Sequence, residues 1–402
     1  MRNLCIITLL FICTISQAQI VDIPDANFKD LLVNYACVDT DGDGVYESDA
    51  DTNDDGEIQV SEAEAVIRLL VNSPNIISIE GIQSFTNLEI YFSISTQVTN
   101  LDFSQNSNLR ELTSFYGILT NINISENINL ERLFCPFNNL TNLDVSYNPN
   151  LTQLMCYNNQ LTSLDVTNNS NLFILNCFGN QLNELDISQN PSLRDLYCGS
   201  NQILDLDLSN NTYLEKLYCL GNQITNLDLS LNVAIESVNC TNNQLTYLNI
   251  KNGNNTNMTI MHSFNNPNLT CIQVDNENAT YPICDFENFI GWCKDDWAEY
   301  SEECIFATED NITIDFTLYP NPSQNILFIE SQEQIENVKI YTLQGQLINP
   351  SACASAKASA TRGRSGTKGI TRSVDVSNLK TGLYFVQVRV DGKSETKKFV
   401  KE

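Results

Sequence analysis

Asp51, Asn53 and Asp55, followed by Gly56, the hydrophobe Ile58 and Glu62, put side-chain oxygens at the first, third, fifth and twelfth positions of one twelve-residue stretch. A hard cation takes roughly six to eight oxygen ligands, and this spacing brings carboxylates and an amide round one point. Glu57 would add its backbone carbonyl, and Gln59 would act directly or through water. The expected chemistry is calcium binding. Asp39, Asp41 and Asp43 with Gly44 begin a second such run, but its twelfth position is Ala50. That run is either a second metal loop completed by Glu47, Asp49 or Asp51, or a solvated acidic turn.

The Asp51–Glu62 stretch resembles an EF-hand calcium loop, which implies calcium as a bound ion. Residues 43 to 50 do not read as the entering helix of a regulatory EF-hand, whereas Ser61 to Val71 can supply the exiting one. Without a helix pair to open, the reading is a structural clamp rather than a switch.

These loops belong to a cap, residues 19 to 76, in which Asp25 is the N-cap of an amphipathic helix carrying Phe28, Leu31, Leu32 and Tyr35 on one face. Behind it a leucine-rich unit returns every 21 residues over 77–268, opened by Leu119, Leu140, Leu161, Leu182, Ile203, Ile224 and Leu245. Fixed-period self-similarity means a solenoid. Each unit holds Leu-x-x-Leu-x-hydrophobe-x-x-Asn twice, as in Leu151, Leu154, Cys156, Asn159 and Leu161, Leu164, Val166, Asn169, so each coil carries strand-like segments on two sides. The Asn column at 138, 159, 180, 201, 222 and 243 belongs to turns, bonding backbone groups that a tight coil leaves unpaired. This pattern resembles the 21-residue bacterial type of leucine-rich repeat, which implies a right-handed solenoid used for recognition without naming a ligand.

Cysteine falls into two groups. Cys135, Cys156, Cys177, Cys198, Cys219 and Cys240 occupy one position of successive coils. Coil spacing of about 4.8 Å exceeds the ~3.8 Å between Cβ atoms of a disulfide, so these read as buried free thiols. Cys271, Cys284, Cys293 and Cys304 break the period in a closing cap, 269–304, and read as two disulfides, with Cys271 to Cys304 the preferred pairing among the three that four Cys allow. Trp292 and Trp297 are the expected apolar plug.

Two outward faces remain. Phe134, Met155, Tyr197 and Tyr218, joined by Tyr157 and Phe178 after the Cys positions, form an aromatic row. It is either a partner-binding face or a set of residues that merely suit strands. His262 continues the same register and reads as an exposed bystander. On the other side Asp102, Asp144, Asp165, Asp186, Asp207 and Asp228 form an open acidic stripe, lacking the cleft and the raised pKa of a paired-acid hydrolase.

The chain has 402 residues, one His and a formal charge of −28. His-dependent nucleophiles or zinc sites would rest on His262 alone, and the acidic balance argues against nucleic acid as a partner. Residues 1–18 have the layout of a signal peptide, with Arg2, an apolar run from Leu4 to Ile15, and Ser16-Gln17-Ala18 before Gln19. No other stretch reads as a transmembrane span of the mature chain.

After a linker, 305–312, alternating short strands over 313–402 read as a small β-sandwich. Leu318-Tyr319-Pro320-Asn321-Pro322, Lys339-Ile340-Tyr341 with Gly345, Leu379-Lys380-Thr381-Gly382-Leu383-Tyr384 and the terminal Lys397-Lys398-Phe399-Val400-Lys401 resemble the sorting domain of the type IX secretion system of Bacteroidetes-type bacteria. The resemblance implies export through the periplasm to the outer-membrane surface or the medium, with that machinery as a partner. A basic insert, Ser351 to Arg372, reads as a disordered loop and holds the stray thiol Cys353.

The fold expected is mainly β: a leucine-rich repeat solenoid with a short helical N-cap, then a small β-sandwich. The function expected is non-enzymatic recognition or adhesion of a protein or polysaccharide on the repeat face. The alternatives are an accessory factor or hydrolase in extracellular glycan or protein degradation, and a surface-layer component.

Overall fold

A computed structural model describes residues 19–285, 287–304, 316–331, 335–342, 347–348, 359–362, 368–390 and 393–402. The signal segment 1–18, the linker 305–312 and Cys353 lie outside them. The chain divides into two compact units, Met1–Phe306 and Ala307–Glu402.

The first unit is a solenoid whose main side is a twelve-stranded sheet. Apart from the antiparallel start, where Val38–Asp39 meets Arg68–Val71, its strands are parallel and in register by one repeat, as in Leu175, Leu196 and Leu217 of neighbouring coils. The Leu-x-Cys alternation explains the pattern: Leu196 and Cys198 are fully buried while Tyr197 between them faces outward. The opposite side is less regular. Strands form there at Asn100–Asp102 with Asn121–Asn123 and again from Asn226–Asp228 to Glu299–Ser301, leaving the central coils extended but unpaired on that side among the described residues.

Two amide columns tie the coils together. Asn180 accepts the Leu161 N–H at 3.0 Å on Oδ1 and donates from Nδ2 to the Cys156 and Cys177 carbonyls, each at 3.0 Å. A second column plays a similar part on the other side, where Asn169 Nδ2 bridges the carbonyls of Val145 and Asn148 at 2.9 Å. Removing the Asn180 amide orphans the buried Leu161 N–H, at about 1–3 kcal/mol, and takes one of two donors from each carbonyl, since Asn159 also donates to Cys156 and Asn201 to Cys177. Asn180→Ala should therefore lower the urea-unfolding free energy by about 1–3 kcal/mol, and no measurable loss would contradict this role. Ion pairs between adjacent coils, such as Arg132–Glu111 at 2.7 Å and Lys216–Asp195 at 3.0 Å, are partly exposed and add little.

The N-terminal end is closed by the helix Ala26–Asn34. Asp25 caps it, accepting from Asn27 and Phe28, and its second oxygen takes the Ile77 and Ser78 N–H groups at 2.8 and 2.9 Å, pinning cap to first coil. Burial would raise this carboxyl, but those four N–H donors outweigh it and hold it below the usual range. Phe28, Leu31 and Leu32 are buried, whereas Tyr35, expected on that face, sits past the last turn and is exposed. The exiting helix expected over Ser61 to Val71 is one turn, Val60–Ala63. Arg68–Val71 is instead a strand, because its alternating burial places Leu69 and Val71 in the core of the first coil.

At the other end Cys271 is bonded to Cys304 and Cys284 to Cys293. Trp292 is buried, stacks on Tyr281 at 3.9 Å and donates Nε1–H to the Met258 carbonyl. Trp297 is not part of the plug, being about half exposed: it lies between the two closing strands, outside their inward alternation.

The second unit holds two four-stranded antiparallel sheets round one core that includes Phe316, Leu327, Ile329, Ile340, Val386 and Phe399. Part of the basic insert is ordered, contrary to the loop expected there. Ser359–Arg362 pairs with Lys368–Asp375, whose Ile370 and Thr371 continue the ladder along Ile326–Ser331.

Candidate binding face and metal loop

In the Asp51 loop, Asp51 is buried and accepts the Asp55 and Gly56 N–H groups at 3.2 and 2.8 Å. Gly56 takes φ +84°, the left-handed turn a side chain would strain. Asn53 and Asp55 accept from Asp55 N and Glu57 N, so the first, third and fifth side chains are held in one turn. Gln59 bridges Asn53 and Asp55. Glu62 is buried but faces the Thr52 and Gln59 N–H groups, each at 2.9 Å. Glu57 pairs with Lys29. Burial and the nearby Asp54 and Asp51 charges raise Asp49, a sign of excess negative charge in the cap. The donors are all oxygen and suit a hard cation, with Asp51, Asn53, Asp55, Glu62, Gln59 and the Glu57 carbonyl as the residues that would hold it.

The first loop repeats the turn. Asp39 accepts from Gly42 and Gly44 at 2.7 and 2.8 Å, and among the described residues Asp39, Asp41 and Asp43 are the one such acidic group with ligand atoms all within 4.8 Å of one another. Arg68 Nε lies 3.1 Å from Asp39, so a guanidinium already compensates part of this charge. Burial would raise Asp39, but the backbone donors and Arg68 together lower it.

On the sheet, Phe134, Met155, Tyr157, Phe178, Tyr197 and Tyr218 all lie half-buried on the outward side. Tyr197 and Tyr218 stack with centroids 5.2 Å apart, and the Tyr218 hydroxyl reaches Ser237 at 2.9 Å. Residues beyond the expected row extend it toward the N-terminus. Phe92, Phe115, Tyr116, Phe137 and Tyr157 form a chain of touching rings at 4.7–5.5 Å across four coils. Tyr116 and Phe137 occupy a turn column in the left-handed region, at φ 57° and 53°, which Asn158, Gly179, Ser200, Gly221 and Asn242 fill elsewhere. The signal was in the sequence, as two aromatics in a column otherwise made of turn residues.

His262 is buried, not an exposed bystander. The disulfide-closed segment 284–293 brings Gly291–Cys293 alongside Ile260–His262, and the Ile290 backbone bonds the imidazole. Burial holds its pKa below the ordinary value. The acidic stripe has a structural role, in that Asp144, Asp165, Asp186, Asp207 and Asp228 each accept the N–H two residues on, at 2.9–3.0 Å, closing a turn. The ladder cysteines are free and buried.

The fold is that of a leucine-rich repeat solenoid followed by a small β-sandwich. Residues 317–402 match the family described as secretion system C-terminal sorting domain. That domain directs export, to the cell surface or the medium. Among solved structures, the functional domain of InlJ from Listeria monocytogenes, described as including a cysteine ladder, is similar at 20% identity and TM-score 0.50, over 96% of this chain and 99% of that one. An internalin C2 from the same organism matches at 20% identity and TM-score 0.39, over 57% of this chain and 91% of that one. No curated protein sequence matches significantly. No helix of the described residues is long and apolar enough to cross a membrane.

Proposed function

We propose that this exported chain is a non-enzymatic recognition or adhesion module, binding another macromolecule with the outward face of its twelve-stranded sheet. The observation that carries the reading is the run of outward aromatic rings on a rigid, extended surface, the composition that binding patches use. Residues 1–18 act as the signal peptide in this reading. The Asp51 loop holds a structural calcium ion that fixes the cap; its buried Asp51 and its wholly oxygen donor set support this.

Substituting the stacked pair tests the face. Tyr197→Ala with Tyr218→Ala should weaken binding to a partner by about 30-fold, the effect of losing roughly 2 kcal/mol at a hot spot. The melting temperature should hold, since both rings lie outside the core. Unchanged affinity for a saturable partner would move the site off this face.

A further inference from the structure

Between the residue before each ladder Cys, or its equivalent in the first coils, and the sixth residue after it, the solenoid carries no formal charge. The eight segments 92–99, 113–120, 134–141, 155–162, 176–183, 197–204, 218–225 and 239–246 contain no Asp, Glu, Lys or Arg. Residues 19–304 as a whole carry 39 Asp and Glu and 8 Lys and Arg. Stacking the coils turns these segments into one continuous strip along the rim of the sheet. Exposed on it are the rings of Tyr116 and Phe137 and a row of amides, Asn139, Gln160, Gln181 and Gln202, one per coil.

We propose that this strip binds a neutral polysaccharide lying along the solenoid, an inference that rests on the recognition reading and names its ligand class. Three observations converge. Such a strip in so acidic a chain offers nothing to a charged polymer: an anionic one meets long-range repulsion, and a cationic one finds its partners on other faces. Each primary amide both donates and accepts, which is what hydroxyl groups require, and a row of amides repeating once per coil is matched by a ligand that also repeats. A globular partner without internal repeats presents no such period. Tyr116 and Phe137 supply apolar surface beside the amides, in a backbone conformation that bulky residues rarely adopt and that other coils fill with Asn, Gly or Ser. The coil can be built without them, and their exposure leaves both rings open to a ligand.

Affinity electrophoresis of the full chain in gels containing laminarin, xyloglucan or galactomannan, with alginate as the charged control, tests this. At least one neutral polymer should retard the chain, and high salt should not reverse it, because no ion pair takes part. Tyr116→Asn with Phe137→Asn installs the residue used at 158 and 242. It should keep the fold by melting temperature and weaken retardation by about tenfold or more. Retardation by none of the neutral polymers, by alginate alone, or equally in the variant would overturn the proposal. Should a protein partner be lost on the Tyr197 and Tyr218 substitutions while no neutral polymer binds, recognition by the face stands and the polysaccharide strip falls.

Discussion

Raising the pH above about 9 is expected to unfold the solenoid steeply. Burial, with no cation nearby to offset it, pushes the thiols of Cys135, Cys177 and Cys219 up to about 12 from an ordinary 9.0, and raises Cys156, Cys198 and Cys240 well above it. The sign follows directly. Below pH 9 both folded and unfolded chains keep these thiols protonated, and the stability from burying them is fully present. Between 9 and 12 the unfolded chain ionises while the folded one does not, so stability falls as pH rises. Each thiol contributes a slope of about 1.4 kcal/mol per pH unit, and six together set an upper bound of roughly 8, comparable to the whole stability of many domains. The phenol of Tyr91, which burial also raises, adds in the same direction. Urea midpoints at pH 8 and about 10.5 would measure the slope. Cys156→Ala, Cys198→Ala and Cys240→Ala combined should reduce it by up to about half. A midpoint indifferent to pH over that range would mean the ladder thiols are not free in the folded protein.

The second large effect is expected in the cap. Calcium at about 100 times its dissociation constant should stabilise the chain by about 2.7 kcal/mol, or roughly 5–10 °C in melting temperature, and a chelator should remove the gain. Asp51→Ala with Glu62→Ala should lower the melting temperature in calcium and abolish the chelator's effect. A variant that stays chelator-sensitive would place the ion elsewhere, with Asp39→Ala testing the first loop. A wild-type chain indifferent to both calcium and chelator would leave the Asp51 loop as a hydrogen-bonded turn alone.

The solenoid was legible because one period imposes one geometry: a Leu every 21 residues can be buried only if each coil closes on itself and stacks on the last. The strands of the sorting domain were legible from their alternation. What the sequence hid were features that depend on neighbours outside the period. His262 keeps the outward register, yet a later disulfide-closed segment covers it. Tyr35 keeps a helical spacing, but the helix ends first. Ser359–Arg362 reads as low-complexity chain, and its strand becomes evident only when paired with the strand carrying Ile370. The order of oxygen-bearing side chains in the Asp51 loop was plain from spacing, whereas the turn taken by Glu62 toward Thr52 and Gln59 was not, since both oxygens find backbone donors nearby.

The central claim is that the repeat face binds a foreign macromolecule. It is tested most directly by equilibrium binding of the full chain, with calcium present, to a glycan array and to fractionated surface proteins, alongside its own sedimentation behaviour. A saturable ligand whose affinity falls on Tyr197→Ala with Tyr218→Ala, or on Tyr116→Asn with Phe137→Asn, is the predicted result. No saturable ligand, together with concentration-dependent self-assembly, would contradict recognition and make the chain a building block of a surface layer.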